Sequence, residues 1–118
     1  MPVNAALVAV NKALSLVDKA ILAVQLALNN NPAPDEAIKL HDLLADLQTL
    51  KDQLEALRTQ LNSSGQTIPP PDPALISEVQ ALTARVQAAT NAGATASARI
   101  AVAGEALTLA TRVMTHFS

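Results

Sequence analysis

His41, Asp42 and Asp46 come nearest, among the polar residues of this chain, to a constellation that could do chemistry. Asp42 and Asp46 stand four apart, which places both carboxylates on one helical face, where such a pair can hold a divalent cation. A catalytic metal centre normally draws three or more ligands of fitting geometry. No Glu-x-x-His pair accompanies these two, and a solvated helix face explains them better than a metal site. His116 follows Thr115 near the carboxyl end, where a protonated imidazole would suit the negative end of a helix dipole. Ser63 and Ser64 precede Gly65, but no Gly-x-Ser-x-Gly elbow and no phosphate-cradling glycine loop occurs. The sequence therefore assigns no catalytic residue, no metal ligand and no cofactor, and points to a protein that is not an enzyme.

Composition narrows the classes further. The chain has 118 residues, the size of one domain. Half of it is apolar and only 15% is charged, against a usual charged share of about 25%. So thin a coat of charge implies that many helix faces touch something other than water. The formal net charge is −2, and Phe117 is the one aromatic residue. Nucleic acid needs a positive surface or a stacking platform, and the sequence supplies neither. Cysteine is absent, which excludes disulfides and thiolate metal sites. The amino terminus lacks the basic residues that open a secretory signal. Residues 5–28 are strongly apolar, yet Asn11, Lys12, Ser15, Asp18, Lys19 and Gln25 interrupt them. A membrane span needs about 20 nearly continuous apolar residues, so a cytoplasmic or particle-associated protein is expected.

The apolar residues themselves keep a seven-residue register. One segment reads Leu7, Val10, Leu14, Val17, Ile21, Val24, Leu28, and a second reads Leu40, Leu43, Leu47, Leu50, Leu54, Leu57, Leu61. A third runs from Leu75 through Val79, Leu82, Val86, Ala89, Gly93 and Ala96 to Ile100, Ala103, Leu107, Ala110, Met114 and Phe117. Such steps of three and four build one stripe on an α-helix and favour coiled-coil packing. The expected fold is all-α, an antiparallel coiled-coil-type bundle in one domain. Helix 1 should span about 5–28, capped by Asn4 and ended by Asn29, Asn30 and Asn31. Helix 2 should span about 35–61, with Pro32 or Pro34 at its start. A proline-rich linker, 62–73, leads to Asp72 as cap and Pro73 as first residue of helix 3. Because the register crosses Gly93 unbroken, a continuous third helix over about 74–117 is favoured. The alternative is a four-helix bundle with a turn at Asn91-Ala92-Gly93-Ala94-Thr95, restarted by Thr95 or Ser97.

The three faces differ. Helix 2 carries nine of the 18 charges and should be wet on one side. Helix 1 is apolar around most of its girth, with a file of Ala6, Ala13, Ala20 and Ala27 that permits close approach. Asn11 and Gln25 flank its seam, as register-fixing polar residues or, more simply, as edge residues reaching water. Helix 3 carries two apolar stripes, which ask for two sets of neighbours. A homo-oligomer is therefore expected, with Ala89, Gly93, Ala96, Ile100 and Ala103 as interface residues and Val102, Leu109 and Val113 behind them. The functional expectation is a structural or adaptor module, such as a component of a phage or other protein assembly, that self-associates and binds protein partners through apolar helix faces. Two other readings are an amphipathic coat on a lipid or polymer granule and a small regulator that sequesters a partner protein.

Overall fold

A computed structural model describes residues 5–64, 68–91 and 93–117. Its described residues form four α-helices: α1 (Ala5–Asn29), α2 (Pro34–Ser64), α3 (Pro73–Ala88) and α4 (Ala96–His116). The expected cap Asn4 and the turn residue Gly65 lie outside the described residues, as does Ala92.

Local chemistry sets most of these boundaries. Asn31 adopts φ 54° after α1, a left-handed conformation that asparagine tolerates better than most residues. Pro34 then opens α2, where its missing N–H is no loss. Glu36 reaches back to accept the Ala33 N–H at 3.2 Å, one half of a capping box. At α3, the Asp72 carboxylate accepts from the Ala74 N–H at 2.8 Å and Pro73 takes the first helical position. Both features match what the sequence specifies at that point.

The third segment departs from the favoured expectation. It is not one helix over 74–117, because α3 ends at Ala88 and α4 restarts at Ala96, so the four-helix alternative with a break near Gly93 is the observed one. Overlapping turns close the break: Thr90 N–H donates to Gln87, Asn91 N–H to Ala88 and Ala94 N–H to Asn91. Thr95 caps α4, its hydroxyl oxygen accepting from Ala98 N–H at 3.1 Å. The interruption from Ala89 to Thr95 spans seven residues. A break of one full heptad leaves the count unchanged, so continuity of phase carries no information about continuity of helix. That coincidence misdirects the sequence reading.

Asp18 pairs with Lys51 at 2.9 Å, and Lys19 donates to the Gln87 side chain at 2.9 Å, so α3 ends beside the middle of α1. At the other end, the His116 Nε2–H donates to the Pro69 carbonyl at 2.9 Å, which returns α4 to the segment that precedes α3. The chain thus forms two antiparallel hairpins, the shorter α3–α4 pair lying on the longer α1–α2 pair. The result is a rod of 48 × 22 × 19 Å, and the 31 residues of α2 account for its length at about 1.5 Å each.

Burial explains the arrangement. α1 touches all three other helices, and α4 does likewise, whereas α2 and α3 do not meet among the described residues. α1 and α4 therefore close the short diagonal of the bundle. Ala6, Ala13, Ala20 and Ala27 on α1 are at most 1% exposed, and Ala103, Ala106 and Ala110 on α4 are fully buried. Small side chains let helix backbones approach closely. Leucines of α2, among them Leu40, Leu47 and Leu54, fill the wider space beside them. Both apolar stripes of the third segment find neighbours inside the chain, since Val102 and Val113 are buried and Ile100, Leu107, Met114 and Phe117 are partly so.

Candidate functional site

Asn11, Gln25, His41, Asp42 and Asp46 are all exposed. Asn11 and Gln25 are edge residues, and among the described residues no three potential metal ligands come together. No described helix is long and apolar enough to cross a membrane. The buried polar residue among those described is one whose role the sequence pattern does not reveal. Arg99 is 2% exposed, and its Nε–H donates to the Ala89 carbonyl at 2.8 Å while Nη2–H donates to that of Asn91 at 3.0 Å. It thereby caps the carboxyl end of α3 from the first turn of α4, where the helix dipole favours a cation. His116, which has no evident partner in the sequence, is held by Pro69 and meets the Phe117 ring edge-on at 4.9 Å. Pro71 is buried, whereas Pro69, Pro70 and Pro73 are exposed, so the proline segment is anchored to the bundle at that residue.

The eight expected interface residues separate. Val102, Ala103 and Val113 are spent in the core of their own chain, and Ala89 is 7% exposed at the end of α3. Gly93 lies in the α3–α4 turn and Ala96 opens α4, so they do not continue a helical seam. Ile100 and Leu109 alone among the eight reach an outer surface feature. They line a groove of about 650 Å³ between α3 and α4.

The groove has an apolar floor and a charged rim. Ala81 and Leu82 come from α3, and Ile100, Ala101, Gly104 and Leu109 from α4. Glu78, Arg85, Glu105 and Arg112 stand around them, with Thr108 between. Arg85 and Glu105 pair at 2.8 Å, both at least half exposed. Such an exposed pair contributes no more than about 1 kcal/mol. No ion pair joins Glu78 to Arg112 among the described residues.

These residues are not a random sample of two helices. Glu78, Leu82, Arg85 and Val86 recur 27 residues later as Glu105, Leu109, Arg112 and Val113. The repeated pattern, Glu-x-x-x-Leu-x-x-Arg-Val, places the valines inward and the charges on the rim. Ala81 and Thr108 occupy equivalent positions as well. This repeat is the sequence signal that locates the groove, and a search for heptads alone passes over it.

Gly104 adds a second observation. It lies inside α4, where glycine is less favourable than alanine by about 1 kcal/mol. A Cβ built there would meet no atom within 4 Å, so nothing in its own chain requires the glycine. The groove is thus deeper at this point than the helix itself requires. The groove holds no histidine, cysteine or serine, and the Thr108 hydroxyl donates to the Gly104 carbonyl of its own helix at 3.1 Å. What the groove presents is an apolar floor flanked by charges of both signs.

Comparison with known proteins finds no family model, no curated protein and no solved structure that matches the chain.

Proposed function

We propose that this protein is a non-enzymatic structural or adaptor module that self-associates and binds protein partners through an apolar helix face. The observation that carries this reading is the outer groove of α3 and α4, with its apolar floor, its rim of paired and unpaired charges, and a mid-helix glycine that serves no contact within the chain. Burial of its floor by another helix would remove the half-buried Ile100 and Leu109 from water, at roughly 25 cal/mol per Å² of apolar area. Elsewhere, among the described large apolar side chains, Leu22 on α1 and Ile38 on α2 are strongly exposed, and neither lines the groove. The groove is the face assigned to a partner because apolar lining and charges of both signs lie together there. Helix-in-groove packing is the corresponding recognition mode.

Thermal unfolding over a range of protein concentrations tests the reading. Association of folded chains stabilises them by mass action, so the melting temperature should rise with concentration. A melt independent of concentration would remove self-association from the account.

A further inference from the structure

Resting on the self-association proposed above, we infer that the α3–α4 groove is the contact between two copies of this chain, related by a two-fold axis running along the groove. Charge and symmetry together select this arrangement. The helices are antiparallel, so their shared pattern places Glu78 beside Arg112 at one end of the groove and Arg85 beside Glu105 at the other. Rotation about an axis parallel to the helices lays α3 of each copy over α4 of the other. Glu78 then faces Arg112 of the second copy, Arg112 faces its Glu78, and Arg85 and Glu105 are opposed in the same way. Every rim charge meets its opposite.

Rotation about the perpendicular in-plane axis also opposes unlike charges, but it sets Glu78 against Arg85, which is already engaged with Glu105. The axis along the groove instead supplies partners to Glu78 and Arg112, which form no ion pair among the described residues of the single chain. An isologous contact of this kind uses one patch on both copies. Gly104 and Ala101 keep the floor low enough for a second helix pair to approach. The 16 residues of α3 set an overlap about 24 Å long, and over that length two helices about 10 Å wide each offer on the order of 500 Å² per copy. A total near 1,000 Å² lies at the lower end for specific interfaces and corresponds to a reversible dimer.

The test uses two rim positions whose exchange leaves the core untouched. Glu78→Arg places like charges opposite each other in a homodimer, as does Arg112→Glu, and each variant alone should dimerise at least about tenfold more weakly than the wild type. An equimolar mixture of the two should recover association, because the new arginine of one variant then faces the new glutamate of the other. Sedimentation of each variant and of the mixture reads this directly. Gly104→Gln supplies an independent check: its side chain enters open space in the single chain and blocks the groove, so the monomer should fold while the dimer is lost. If the wild type is a dimer and all three variants retain its affinity, the groove is overturned as the interface while self-association stands. A mixture no more associated than its components would overturn the two-fold axis assigned here. A wild type that never dimerises would overturn the reading on which the inference rests.

Discussion

Arg99 gives partners to two carbonyls at the end of α3, and so ties the close of one helix to the start of the next. Hydrogen bonds to a charged group contribute about 1.5–3 kcal/mol, more than neutral ones. Arg99→Met keeps the apolar stem but leaves the Ala89 carbonyl without this partner, while that of Asn91 keeps the Ala94 N–H, and should destabilise the chain by about 1–3 kcal/mol in urea unfolding. A loss below about 0.5 kcal/mol would mean that water satisfies the turn equally well. The Asp18–Lys51 pair makes a different prediction. The Asp18 carboxylate, hydrogen-bonded to Lys51 at 2.9 Å, holds its ammonium above the usual lysine range. A raised folded pKa means that the stabilisation is complete below the unfolded value, about 10.4, and is lost as pH rises through the folded one. Both side chains are more than a third exposed, so the effect is at most about 1 kcal/mol after screening. Unfolding followed from about pH 9 to about pH 12, across the lysine range, should show it in the wild type and not in Asp18→Asn. Identical alkaline profiles would refute it.

At the scale of the helix, small residues take two opposite meanings. On α1 and α4 they permit contact across the short diagonal, so Ala13→Leu, at a fully buried position, should cost about 1–3 kcal/mol by overpacking. On the groove floor, Gly104 faces open space, so Gly104→Ala should stabilise the monomer by up to about 1 kcal/mol. Thermal melts of both variants at low concentration check the contrast, and stabilisation by both would contradict it. The sequence makes α1, α2 and the start of α3 legible because caps and prolines act locally, within a few residues of Asn31, Pro34 and Asp72. It misleads at the α3–α4 break because a seven-residue turn preserves the heptad count. Arg99 is visible as an isolated charge in a stretch poor in charges, but its role depends on the turn folding back to it. In the candidate site, Ile100 and Leu109 are legible as apolar residues on the two stripes of the third segment. Glu78, Arg85, Glu105 and Arg112 become a set only once two helices lie antiparallel.

The whole molecule is a rod whose longer hairpin is sheathed on one side by a shorter one, with α3 ending beside Lys19. The break between α3 and α4 is what lets one chain supply neighbours for apolar stripes that would otherwise need other chains. In the proposed dimer, self-association rests on a single face, which would make it reversible and sensitive to a few residues. It also separates folding from assembly, since the four rim charges lie outside the core. Sedimentation equilibrium of the full chain over a wide concentration range tests this most directly. The expected result is a mass rising from one chain toward two, with the rise abolished by Gly104→Gln while the fold is kept. A mass that stays at one chain throughout would contradict it.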